Sequence, residues 1–191
     1  MNQQQVWDKI APSWMHLRNK PIKELEILDW EKGKILDIGC GNCRNLLPFK
    51  SLECYGIDFS KEMLEQANKF NKKFNLNIKL KQAKITKLPF KGRSFDYVLA
   101  IAVLHHLKDP ELAVKEINRV LKANGEAFIT IWNKPFKKES FIPWKQKNKI
   151  LNRYYNFIGY FKLRRLLLKN NLKILTSSFF GKNIIFLVKK I

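Results

Sequence analysis

Asp37-Ile-Gly39-Cys-Gly41 ends the apolar run that begins at Lys34, and no other segment constrains the fold as tightly. A short strand running into two closely spaced glycines makes a turn whose backbone can approach a ligand. In an open parallel sheet, such turns lie beyond the carboxyl ends of the strands, where ligands bind. A dinucleotide fingerprint needs a third glycine three positions after the second. That position is Arg44, so the nicotinamide reading fails its own pattern. An acid two residues before the first glycine suits a cationic amino-acid moiety, such as that of S-adenosylmethionine. Asp58, 19 residues after Gly39, closes a second apolar stretch over 52–58. A carboxylate there can accept both ribose hydroxyls, and Phe59 beside it can pack on adenine. Taken alone, Asp58 could equally be an acid at a helix N-terminus.

The rest of the chain repeats the strand–helix alternation. Trp7, Ile10, Trp14 and Leu17 recur at helical spacing, which predicts a helical lead broken at Pro12 and stopped near Pro21. Ser60 is a good N-cap for a helix with the stripe Met63, Ala67, Phe70 and Phe74. Strands are predicted over 78–82 and 95–102. The second is apolar on both faces, as a central parallel strand should be. A helix over 110–121, then Gly125, leads to a fifth strand over 126–132. This order implies an α/β fold: a doubly wound, mostly parallel seven-stranded sheet with an antiparallel closing strand. A chain of 191 residues is one domain by default. It divides into a helical lead (1–30), a cofactor-binding core (33–132), an insertion (134–160) and a closing helix and strands (161–191). The insertion is basic and aromatic, without clean periodicity. The closing part reads as a helix over 162–172 and strands over 173–180 and 183–189.

Charge narrows the partner. Lys and Arg number 37 against 16 acids, and residues 134–191 hold 15 of them with one acid, Glu139. A basic face of this kind is the footprint of a polyanion, RNA or DNA first. The alternative is a lysine-rich solvated surface. Three cysteines do not make a disulfide framework. Cys40-x-x-Cys43 has no second pair and the histidines are only His16, His105 and His106, so no metal site is expected. No stretch is long and apolar enough to span a bilayer. The N-terminus lacks the layout of a signal peptide, so a cytoplasmic protein is expected.

The motifs Asp37-Ile-Gly-Cys-Gly-Asn, Gly56-Ile-Asp-Phe-Ser60, Leu88-Pro-Phe90, Phe95-Asp96, His105-His106 and Arg119-Val-Leu-Lys122 resemble those of class I S-adenosylmethionine-dependent methyltransferases. The flanks narrow the resemblance. Trp7-Asp-Lys-Ile-Ala-Pro12, His16-Leu-Arg-Asn-Lys-Pro21, Ile129-Thr-Ile-Trp132, Ile142-Pro-Trp-Lys145 and Arg153-Tyr-Tyr155 are similar to the wobble-uridine carboxymethyl tRNA methyltransferases. These include the methyltransferase half of the fused enzyme that also hydroxylates the same base. The resemblance implies methyl esterification of 5-carboxymethyluridine in the tRNA anticodon, a shortened family member, and a small zinc-binding activator subunit forming a heterodimer. It implies S-adenosylmethionine held by Asp37, Gly39, Cys40, Gly41, Asp58, Phe59, Lys84, Ile85, Ala100 and Ile101. Two positions depart from the superfamily. Cys43 stands where a third glycine is common, tolerable unless the backbone needs positive φ. Lys84 stands where an acid often meets the adenine amino group, and lysine accepts no hydrogen bond.

Methyl transfer to a carboxylate needs no strong base, because the nucleophile is already an anion at neutral pH. Orientation is the main requirement. Arg18 and Arg153, in the flanks, are candidates to orient the carboxylate of the substrate or of the cofactor. His105 and His106 follow strand four and read as substrate-side positioning residues, or as loop packing. Tyr154 and Tyr155 can stack on anticodon bases or pack a lid. Lys137, Lys138, Lys145, Lys147 and Lys149 matter as a field. The core motifs also serve small-molecule and quinone-type methyltransferases. Cys43 and Lys84 are the features that would suit a non-catalytic RNA-binding subunit.

Overall fold

The computed structural model describes residues 2–134, 137–146 and 149–191. Lys147 of the lysine field lies outside them. Strands β1 (Lys34–Ile38), β2 (Glu53–Asp58), β3 (Lys79–Gln82), β4 (Phe95–Ile101) and β5 (Leu121–Trp132) pair in parallel, in the order β3-β2-β1-β4-β5. A separate antiparallel ribbon follows, β6 (Glu139–Gln146) with β7 (Lys149–Asn156). The chain then returns through β8 (Leu172–Phe180) and β9 (Asn183–Lys190). β9 is antiparallel to both β5 and β8, which completes the seven-stranded sheet β3-β2-β1-β4-β5-β9-β8. The predicted α/β class, strand count and single antiparallel strand all hold.

The helices are α1 (Gln3–Leu17), α2 (Lys61–Lys73), α3 (Glu111–Val120) and α4 (Tyr160–Lys169). Alternate strand residues feed two cores, as a pleated strand requires. Leu36, Ile38, Val98 and Ala100 meet Val114 and Ile117 of α3 and Leu163 and Leu167 of α4 on one face. Ile35, Leu99 and Ile101 meet Leu64 and Ala67 of α2 on the other. The helix expected straight after β1 is a 3-10 turn, Arg44–Phe49, with Pro48 inside it. Proline lacks the N–H that an α-helix would need there. Phe74, read as part of the α2 stripe, is the exposed C-cap of that helix.

Two expectations at the flanks need correction. Pro12 does not break α1, which runs through it to Leu17. The helix is held from outside: Val6, Ile10 and Ala11 are buried with Met63 and Leu151. Asp8 Oδ1 accepts from Ser60 Oγ at 2.6 Å, while Ser60 Oγ caps Met63 N. Leu17 ends the helix exposed rather than on its buried stripe. The segment without readable periodicity contains the β6–β7 ribbon. Its outward face mixes Phe141 and Pro143 with Glu139 and Lys145, and its half-buried face mixes Ile142 and Trp144 with Ser140 and Gln146, so hydrophobicity does not track the pleat. Pro143 is tolerated because in a two-stranded ribbon each strand is an edge. Together α1 and the ribbon form a layer across the carboxyl end of the sheet. Gln3 Nε2 donates to the Asn152 carbonyl, Tyr154 N–H donates to Gln3 Oε1, and Trp144 Nε1–H donates to Ser13 Oγ. Among the described residues, no helix is long and apolar enough to cross a membrane.

Candidate active site

The strand order reverses between β1 and β4, and a cavity of about 790 Å³ opens beyond their carboxyl ends. This is where an open α/β sheet binds ligands. Gly39, Cys40 and Gly41 form one wall, Asp58 and Phe59 the next, with Lys84, Ile85 and Ile101 beyond them. Gly39 and Gly41 both adopt left-handed backbone, φ +68 and +54. A Cβ on Gly39 would collide with Val103 Cγ2, whereas Gly41 faces open space. The turn is pinned to β2: Gly41 N–H donates to Asp58 Oδ2 at 3.0 Å, and Ser60 N–H to Oδ1 at 2.9 Å. Cys43 does need positive φ, +65, the condition under which cysteine is not a free substitute for glycine. Its thiol fills space beside Gly56, where a Cβ would come within 2.9 Å of Sγ. Cys40 and Cys43 are thus packed beneath the turn, free and buried.

Asp37 does not line the cavity; it is buried in the floor of the turn, and its Oδ2 has no partner. Ala100 likewise lies in the core beneath β4 and not at the cavity; its neighbour Ile101 reaches the wall. The two carboxyls are strongly perturbed. Burial pushes Asp37 up to about 8, against the opposing charge of Arg44, and Asp58 adds to the rise. Burial pushes Asp58 up to about 6, while hydrogen bonds from Ser60 and Gly41 pull the other way. An orphaned carboxylate oxygen under a glycine turn fits the ammonium of S-adenosylmethionine, and Asp58 beside Phe59 fits its ribose and adenine.

Were Asp37 to hold the cofactor's ammonium, binding would be coupled to protons. The folded chain keeps a proton on Asp37 that the unfolded chain releases near its ordinary value of 3.8. Stability of the free chain therefore falls as pH rises toward about 8. A cation bound at Asp37 would favour the carboxylate, so binding would expel that proton and tighten over the same range. Between pH 6.5 and 8 the two cavity histidines do not interfere, since burial holds His106 down at about 4 and His105 lower than usual. Thermal unfolding should show the free chain losing Tm across this window while the stabilisation by S-adenosylmethionine grows. A ligand-induced shift that is constant from pH 6.5 to 8 would contradict the role of Asp37.

The opposite wall comes from α1, the ribbon and the segment after β4. Arg18, Arg153, His105 and His106 all line the cavity, as expected. Tyr154 does not: its ring packs on Phe141 and its hydroxyl is buried. Successive residues of a strand face opposite sides, so Tyr155 is the tyrosine on the cavity, stacked on Trp132 at 4.9 Å. Arg44, read in the sequence only as a missing glycine, also lines it. The Arg18 and Arg44 guanidiniums lie 5.4 and 5.9 Å from the Trp14 ring centroid. Arg153 lies 5.0 Å from Trp144 and 5.4 Å from Tyr155. Among the described residues none of the three forms an ion pair with an acid, and Nε of Arg44 and of Arg153 is buried without a partner. Burial lowers Arg44 to about 10, and Arg18 nearby adds to that. Three cations held on aromatic faces, none in an ion pair among the described residues, make a receptor for an anion.

The methyltransferase-domain family matches residues 36–129. The tRNA (carboxymethyluridine(34)-5-O)-methyltransferase of Saccharomyces cerevisiae is 30% identical over 164 residues, covering 75% of this chain and 57% of that protein. The ubiquinone biosynthesis O-methyltransferase of Pelagibacter ubique is 34% identical over 132 residues, covering 66% of this chain and 55% of that protein. The chain thus spans a little over half the length of these two relatives. Among solved structures, the methyltransferase in the complex with the Haloferax volcanii Trm112 methyltransferase activator superposes with a TM-score of 0.76. That match covers 99% of this chain and 98% of the other at 14% identity, a likeness of fold.

Proposed function

From the premise that the chain carries a class I S-adenosylmethionine-dependent methyltransferase domain, we propose that it methyl-esterifies 5-carboxymethyluridine at the wobble position of tRNA. The observation that carries this reading is the unpaired arginine cluster, Arg18, Arg44 and Arg153, on the cavity that holds the glycine turn. S-adenosylmethionine supplies an electrophilic methyl group. The arginines hold the acceptor carboxylate, and the Trp14, Trp144 and Tyr155 rings that back them limit water. Alignment of oxygen, methyl carbon and sulfur then accounts for most of the rate.

A quinol-type acceptor would need its hydroxyl deprotonated. The histidines are poor bases for that: burial holds His106 at about 4, and His105 Nδ1 already accepts from Trp132 N–H at 3.2 Å. A base so far below the phenol range drives proton transfer weakly. An acceptor that arrives as an anion suits the site better. The carboxymethyluridine-modifying yeast relative supports the same choice, as does the net +14 of residues 134–191. Lys137, Lys138, Lys145 and Lys149 lie exposed on and around the ribbon, suited to phosphates.

A small zinc-binding activator is part of this proposal. The Haloferax complex supports it by fold, and β3 and β8 leave two sheet edges open among the described strands. Three free cysteines suit the reducing cytoplasm. Transfer of labelled methyl from S-adenosylmethionine to tRNA bearing 5-carboxymethyluridine, with and without such an activator, tests the reading.

A further inference from the structure

The two histidines present fixed and opposite hydrogen-bonding faces. Trp132 N–H donates to Nδ1 of His105 at 3.2 Å, so that nitrogen holds a lone pair and the ring hydrogen sits on Nε2. His106 is set the other way. Its Nδ1 lies 2.9 Å from the Tyr154 carbonyl oxygen, which can only accept, so Nδ1 carries the hydrogen and Nε2 the lone pair. Neither ring can change tautomer without breaking a bond to the main chain. Both line the cavity, and no hydrogen bond among the described residues reaches either Nε2. The rings sit 4.6 Å apart. His105 is stacked on Tyr155 at 5.1 Å, and His106 is wedged edge-on against Trp7 at 4.8 Å and Tyr155 at 4.4 Å. Burial keeps both uncharged.

The cavity therefore offers a neutral N–H donor beside a neutral lone pair, on rings that cannot turn. The complementary ligand edge is a lactam, a ring carbonyl next to a ring N–H. We propose that this pair reads the uracil ring, with His106 Nε2 accepting from N3–H and His105 Nε2–H donating to an adjacent ring carbonyl. The inference rests on the uridine reading above and adds the residues that select the base. Cationic arginines hold the carboxymethyl arm; neutral histidines hold the ring, where a charge would gain nothing from an uncharged imide. A buried acceptor left facing a methyl group instead of N–H loses its bond and its water together, which is worth roughly tenfold or more in affinity.

The test is binding of two anticodon-loop oligonucleotides, one carrying 5-carboxymethyluridine and one its N3-methyl derivative, in the presence of S-adenosylhomocysteine. Wild type should bind the N3-methyl form at least about tenfold more weakly. His106→Asn keeps an amide donor for the Tyr154 carbonyl but loses the Nε2 acceptor, so it should bind the two within about twofold. His105→Asn keeps an acceptor for Trp132 N–H and should bind both oligonucleotides more weakly while preserving the gap. A role confined to packing would not make the gap vanish in one variant and persist in the other. Equal binding of both forms by wild type, or a gap undiminished in His106→Asn, overturns the inference. Methylation of the 5-carboxymethyluridine oligonucleotide by wild type is scored alongside. A gap without methylation sustains base reading and removes esterification; methylation without a gap does the reverse; no binding of either form removes both.

Discussion

Asp58→Ala should weaken S-adenosylmethionine binding by at least about 100-fold, with a smaller loss of stability in the free chain. Two contacts to a charged carboxylate are lost at once, each worth about 1.5–3 kcal/mol when buried. The glycine turn is also released, since Asp58 is what ties Gly41 N–H to β2. Stability should not suffer in proportion. A carboxyl pushed up to about 6 by burial is one that the fold holds ionised at a cost. Asp37→Asn should also lose cofactor binding, with Tm raised most at high pH, where wild-type Asp37 is forced to ionise. Calorimetric titration and thermal unfolding on the same samples check both parts. Wild-type affinity in either variant would mean that its carboxylate does not face the cofactor. A large fall in Tm would mean that the turn is structural before it is functional.

Arg153→Ala should lower kcat/KM for the carboxymethyluridine acceptor by about 100-fold, the loss of one buried charge-assisted contact, with cofactor affinity unchanged. Arg18→Ala should cost less, about tenfold, because Arg18 is exposed at the rim and solvent screens it. Each arginine-to-lysine change should recover only part of the rate, since lysine lacks the planar fork that matches a carboxylate. Loss confined to kcat would place the contact in the transition state; a rise in KM alone would make it a ground-state clamp. Either outcome keeps the arginines on the acceptor. A near-wild-type Arg153→Ala would instead take that arginine off the acceptor carboxylate.

Much of the cofactor half was legible in the chain, because its signals are local. Asp37 and Asp58 each lie at the end of a strand, and parallel pairing of β1 with β2 sets Asp37 opposite Gly56, so both acids end at the carboxyl end of the sheet. What escaped was fixed by distant contacts. Pro12 would end a free helix, yet α1 continues because Asp8 and Ile10 are anchored to α2 and the ribbon. Arg44 carries no motif of its own; only folding α1 over the turn brings it beside Trp14 and Arg18. Tyr154 and Tyr155 are interchangeable on paper, and the face that each takes depends on a register set by β6. Ala100 and Ile101 differ in the same way: one feeds the core and the other the cavity. The histidine tautomers depend on main-chain partners 27 and 48 residues away.

The central claim, an esterifying enzyme acting on a carboxylate in RNA, meets its most direct test in single-turnover transfer of labelled methyl at saturating cofactor. The acceptors are tRNA bearing 5-carboxymethyluridine, the same tRNA with unmodified uridine, and a quinol. The account predicts label only on the carboxymethyl tRNA. That label should be released by mild alkali, as an ester is, and its rate of formation should stay level from pH 6.5 to 8, where the acceptor is already ionised. Alkali-stable label, or transfer to the quinol at a rate that climbs with pH, would contradict it.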